Sequence, residues 1–124
     1  MRIATSLIVA GLLAGCATPG PVVQVGPDPE CSSEKQCAAM WDAAQIFVAR
    51  NAQMKMQIST NVLIETFNPP QYGTEIAMRV MREPIGGGSY RLSARAWCNN
   101  LFGCSSDPHM LRAAFNRQMA AVTP

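Results

Sequence analysis

The chain has 124 residues and a formal net charge of +2; 15% of its residues are charged and 48% are hydrophobic. That length allows one small domain, and so much apolar content at so low a net charge is unlike a disordered chain. Six acids and three bases lie between Asp28 and Glu75, against six arginines and two acids from Ile76 onward, which predicts a basic side far too weak for nucleic-acid binding.

Arg2 precedes an apolar run from Ile3 to Leu13, and the small residues Ala14 and Gly15 stand before Cys16. This is the layout of a secretory signal, too short to span a bilayer. Leu13-Ala14-Gly15-Cys16 resembles the lipobox of bacterial lipoproteins. The resemblance implies that residues 1–15 are a signal peptide removed by lipoprotein signal peptidase. It further implies that Cys16 carries a diacylglyceryl thioether and an acyl chain such as palmitate on its new amino terminus. More than one chain is needed, because a single acyl group holds a protein only marginally on a membrane. Ala17 replaces the Asp of the inner-membrane retention signal, so the resemblance implies an outer-membrane anchor with the body facing the periplasm. A secreted protein with an incidental Cys16 is the plainer alternative.

After Cys16, "ATPGPVVQVGPDPE" holds four prolines and two glycines. This composition predicts a semi-extended tether over residues 16–30, ahead of a single domain over 31–124. Four cysteines remain in that domain: Cys31, Cys37, Cys98 and Cys104. An even number in an exported chain predicts two disulfides, useful to a domain with so small a core. The C-x5-C spacings do not match structural zinc sites, and no C-x-x-C suggests redox chemistry.

The first predicted element is a helix in "EKQCAAMWDAAQIFVARN". Ser33 and Gln36 can form a capping box, and Cys37, Met40, Trp41, Ala44, Phe47 and Val48 recur at helical spacing. The period then falls to two. Met54, Met56, Ile58, Val62 and Ile64 predict the inner face of one long strand over "QMKMQISTNVLIETF". "NPPQYG" predicts a turn, with Gly73 free to take positive φ. A second strand covers "TEIAMRVMRE" and closes at Pro84; "GGGS" turns the chain, and "YRLSARAWC" is a third strand. Asp107 and Pro108 start a last helix, whose buried stripe is Leu111, Ala114, Phe115 and Met119.

The expected fold is therefore a two-layer α+β domain: helix, three-stranded antiparallel meander, helix, with both helices on the even-numbered face. On that path the end of the third strand returns to the start of the first helix. This slightly favours Cys37–Cys98 and Cys31–Cys104, while local closure of each C-x5-C loop stays open.

Met54 and Met56, with Met78 on the next strand, could offer thioethers to Cu(I), but methionine also fills irregular cores. "GGGS" joins two strands and so is a hairpin turn, not a phosphate loop. His109 begins a helix without a nucleophile or matched carboxylate beside it, and no catalytic set can be assembled. The odd-numbered face carries Arg79, Arg91 and Arg95, with Lys55 and Trp97, suited to carboxylate, phosphate or sugar, or else to a plain solvated sheet. The expectation is a non-enzymatic structural or adaptor lipoprotein without a metal or other cofactor, binding an envelope protein or cell-wall partner through that face. The alternative is a periplasmic ligand-binding module for a cell-wall fragment, a lipid headgroup or, less favoured, copper. Replacing Cys16→Ala is expected to release the protein from the membrane fraction; a variant that stays membrane-bound would rule out the anchor.

Overall fold

The computed structural model describes Gly15 and residues 23–123. The lipobox lies outside the described residues except for Gly15, as does the part of the tether covering residues 16–22. Seven elements follow in order: β1 (Glu30–Cys31), α1 (Glu34–Asn51), β2 (Met56–Ser59), β3 (Leu63–Thr66), β4 (Ala77–Gly86), β5 (Ser89–Trp97) and α2 (Pro108–Ala120). The strands form one antiparallel sheet in the order β1-β5-β4-β3-β2. The fold is α+β, with both helices on one face and two disulfides.

Helix α1 starts where its cap requires. Ser33 Oγ accepts from Gln36 N at 3.1 Å, satisfying a free donor of the first turn, and Gln36 Oε1 accepts from Ser32 N, just before the cap, at 2.9 Å. Its apolar stripe of Cys37, Met40, Trp41, Ala44, Phe47 and Val48 is buried. Helix α2 begins with Pro108, and Asp107 accepts from His109 N at 2.9 Å. Phe47 of α1 meets Phe115 of α2 edge to face, with centroids 5.3 Å apart. Ile64, Met78, Val80, Leu92 and Ala94 from the even side of β3, β4 and β5 complete the core.

The meander has more strands than the sequence predicts. The stretch read as one strand is a hairpin, β2 and β3, folded at Thr60. Thr60 N donates to Leu63 O at 2.9 Å, and Thr60 Oγ1 accepts from Leu63 N at 3.0 Å and Val62 N at 3.3 Å. A short hydroxyl side chain can satisfy turn amides in this way. The alternation of even apolar positions runs through the turn unbroken in parity but not in burial: Val62 is 57% exposed and Met56 36%, while Ile64 is sealed.

The added strand inverts the direction of β4 and β5, which corrects the disulfide pairing. Cys31 lies opposite Tyr90, at the start of β5, whereas Cys98 follows its end. Eight strand residues separate these points by about 26 Å, far beyond disulfide reach. The bridges are accordingly local, Cys31–Cys37 and Cys98–Cys104.

Two smaller expectations also change. Pro84 lies within β4, opposite Tyr90; its nitrogen faces the side where β3 has already ended, so no ladder bond is lost. In the turn before β4, Tyr72 takes the positive φ of 61° and Gly73 does not. Gly73 is instead demanded by space, because a Cβ there would stand 2.9 Å from Pro70 O.

The segment from Val25 to Glu30 lies against the domain. Pro29 O accepts from Leu92 N at 2.9 Å, Asp28 pairs with Arg112 at 3.2 Å, and Asn116 Nδ2 donates to Val25 O and Gly26 O at 3.3 and 3.4 Å. This cover explains why polar Asn116 is buried on a helix whose sequence stripe omits it.

Thr66 is the buried polar group that joins β3 to β4. Its Oγ1 accepts from Met78 N at 3.1 Å and donates to Phe67 O at 3.1 Å, and it is 2% exposed. Replacing Thr66→Val keeps the shape but leaves that amide unpaired, so chemical denaturation should show a loss of about 1–3 kcal/mol.

Candidate functional site

The odd face of the sheet brings some of its predicted residues together and disperses others. Arg79 lies opposite Arg95 and is flanked on its other side by Glu65, which it meets at 3.4 Å. Arg91 meets Glu83 at 3.3 Å. These are surface pairs of small energy, but they occupy two of the three arginines. Arg95 has no carboxylate within ion-pair distance among the described residues and stacks on Trp97, 5.5 Å from its ring centroid. Lys55 stands apart, just before β2 at the opposite edge of the sheet from β5.

Other sequence candidates disperse as well. Met54 and Met56 line an open groove of about 330 Å³ beside the end of α1, whereas Met78 is fully buried. Gly87 and Gly88 form the two-residue tip of the β4–β5 hairpin, with φ of 61° and 79°. His109 is exposed on α2. Among the described residues, no group of three His, Cys, Asp or Glu could hold a metal ion. A cleft of about 410 Å³ lined by Glu34, Ala38, Asn61, Val62, Arg82 and Tyr90 has no counterpart in the sequence reading; there Arg82 lies 4.1 Å above the Tyr90 ring.

The feature that departs most from a solvated surface is the loop closed by Cys98–Cys104. At its tip Leu101 is 96% exposed and Phe102 is 100% exposed, with Tyr72 beside it at 72%. An isolated exposed Leu needs no explanation, but an adjacent pair with a neighbouring aromatic is the start of an apolar patch. The loop beneath this tip is braced on every side. Asn100 Nδ2 donates to Tyr72 O at 2.8 Å, and Asn100 Oδ1 accepts from Phe102 N at 2.9 Å. Asn99 N donates to Gly73 O at 3.0 Å and Ser105 N to Thr74 O at 2.9 Å. Ser105 Oγ donates to Gln53 Oε1, which also accepts from Ile76 N at 2.9 Å. Gln53 therefore ties the end of α1, the entry to β4 and the disulfide loop into one unit.

The arrangement holds two apolar side chains outward on a frame whose entropy cost has been met in folding. Such a knob can fill a partner's pocket without paying to order itself on binding. Trp97 stands at the base of the same loop, lining a hollow of about 290 Å³ with Asn68, Pro69, Cys98 and Asn99. The tip and the Arg95–Trp97 pair thus share one end of the molecule.

The sequence signal for this site is "CNNLFGC". A loop of this length, closed on itself and rich in turn residues, gives Leu101 and Phe102 no route to the core. Assigning Cys98 to a distant partner hides that consequence. Comparison with protein-family models, with curated proteins and with solved structures finds no match to this chain.

The brace and the tip are expected to separate energetically. Joint replacement of Cys98→Ser and Cys104→Ser should lower unfolding stability by about 2 kcal/mol, the loop-closure value for so short a ring. Phe102→Ser should stay within about 0.5 kcal/mol of the parent, as for a side chain that packs on nothing. A loss above about 1 kcal/mol from Phe102→Ser would show that the tip is part of the core.

Proposed function

We propose that the chain is a small, non-enzymatic lipoprotein of the bacterial outer membrane that acts as an adaptor, docking an envelope partner protein through the Leu101–Phe102 tip. The observation that carries this reading is the full exposure of two large apolar side chains on a disulfide-closed, hydrogen-bonded loop. Trp97 and Arg95 of the open sheet face supply the aromatic and cationic rim typical of protein-binding surfaces.

Magnitudes favour a docking element that works beside an anchor. Burying one Leu and one Phe side chain yields about 3–6 kcal/mol, which alone corresponds to roughly millimolar to tens of micromolar binding. A lipid on Cys16 would confine the protein to a surface shared with its partner and raise the effective concentration. Asn116 holds Val25 and Gly26 against α2, so the eight residues 17–24 separate the held segment from Cys16, a reach of at most about 30 Å. The body would then work close to the membrane.

A second reading as a ligand-binding module rests on the Arg82–Tyr90 cleft, where a cation with no ion pair among the described residues lies over an aromatic ring and Glu34 stands on the same lining. A carboxylate- or phosphate-bearing cell-wall fragment or lipid headgroup is its natural ligand class.

Placing a photoreactive benzoylphenylalanine at position 102 in intact cells should give a discrete protein adduct, absent when the probe replaces exposed Gln118 on α2. Equal adducts from both positions, or none, would overturn the adaptor reading and move weight to the cleft.

A further inference from the structure

The cleft beside the start of α1 holds two opposite charges that the fold does not use on each other. On the sheet it is lined by Arg82 and Tyr90. Arg82 lies two residues beyond the core residue Val80 on β4, and Tyr90 two before the core residue Leu92 on β5, so both point toward the helices. Glu34 and Ala38, one turn apart, line the cleft from α1, and Asn61 and Val62 line it from the β2–β3 turn. These elements are fastened to one another. Cys31–Cys37 pins the start of α1 to β1, which pairs with Tyr90, and Trp41 Nε1 holds the turn through Thr60 O at 3.1 Å.

Arg82 differs from the other arginines. Arg50, Arg95 and Arg117 also lack an ion pair among the described residues, but they are exposed and hydrated. Arg82 is half-buried, its guanidinium lies 4.1 Å from the Tyr90 ring centroid, and its Nε is shielded without a hydrogen-bond partner. A cation that has lost part of its hydration binds an anion more strongly than one in open water. Glu34 lines the same cleft, yet it is not within ion-pair distance of Arg82. A ligand carrying negative charge alone would meet the Glu34 carboxylate, which selects against it. A ligand that carries an ammonium as well satisfies both side chains, with the Asn61 amide offering a donor and an acceptor beside them. The volume of about 410 Å³ is near the small end of ligand pockets and suits a short molecule with a charge at each end.

We propose that this cleft binds a small zwitterion, Arg82 donating to its carboxylate or phosphate and Glu34 accepting from its ammonium. The proposal rests on the ligand-binding reading of the cleft and adds that both charges are read. A cell-wall diamino acid and an ethanolamine phosphodiester headgroup share this chemistry.

The test titrates the full oxidised chain in a maltoside detergent, reading the Glu34 and Arg82 resonances by nuclear magnetic resonance. The probes are meso-diaminopimelate and glycerophosphoethanolamine, each against a copy without an ammonium: the di-N-acetylated acid and glycerophosphoglycerol. At least one zwitterion should shift both resonances saturably at roughly millimolar concentration, about tenfold more tightly than its copy. Whichever of the two binds more tightly identifies the source, cell wall or lipid. Glu34→Gln should bring zwitterion and copy to the same affinity, and Arg82→Gln should abolish binding of both. Ala38→Leu puts a good helix former at an exposed position, so it should keep the parent's melting temperature and lose the ligand. Copies that bind as tightly as the zwitterions overturn the proposal and leave the ligand-binding reading standing. No saturable shift from any probe overturns both. Binding that survives Arg82→Gln and Ala38→Leu places the ligand elsewhere and also overturns the proposal. Leu101 and Phe102 take no part in these outcomes, so the adaptor reading stands or falls separately.

Discussion

The turn at Thr60 sets the polarity of everything that follows it in the chain. Its hydroxyl and backbone close the β2–β3 hairpin, and α1 fixes the turn in place: Trp41 Nε1 donates to Thr60 O at 3.1 Å. Trp41 is 5% exposed, so this bond joins a core side chain to a surface turn. With the hairpin made, β4 must start beside the end of α1, and β5 must begin beside its start and end far from it. The Cys98–Cys104 loop is thereby placed at the end of the molecule away from Cys31–Cys37. Each of these pairs closes on itself because, among the described residues, the two pairs lie at opposite ends of the sheet and out of each other's reach.

Local disulfides constrain less of the unfolded chain than long-range ones would. What they supply here is shape. Cys31–Cys37 pins the short β1 to the first turn of α1, and Gln36 Nε2 reaches Val122 O at 3.3 Å, tying the end of the described chain to the same corner. Cys98–Cys104 does the equivalent work at the opposite corner, where no regular element is available to support the loop. Gln53 and the side chains of Asn99 and Asn100 complete that support. The outcome is a small domain with a rigid end bearing an apolar tip and an aromatic rim.

The tip offers apolar area and rigidity, with little orientation beyond its own shape. It adjoins Trp97, which closes β5 and stacks with Arg95, so an aromatic ring and one cation border the apolar pair.

By itself the sequence determined what depends on near neighbours: the capped helices at Ser33 and Asp107, the glycine hairpin, the inward parity of Met78, Val80, Leu92 and Ala94, and the existence of two disulfides. These follow from spacing and side-chain chemistry within a few residues. It did not determine the turn at Thr60, because alternation continues through a two-sided turn without losing parity and Thr is an ordinary strand residue. Nor did it reveal β1, since a Pro-rich approach reads as linker until Pro29 and Cys31 find the edge of β5. Only the tertiary structure decided which cysteines meet, because pairing depends on strand direction summed along the whole path. That same sum placed Leu101 and Phe102 in solvent, paired Arg79 with Glu65, and left Arg95 without an ion pair among the described residues; each is a property of neighbours distant in the chain, which local pattern cannot encode.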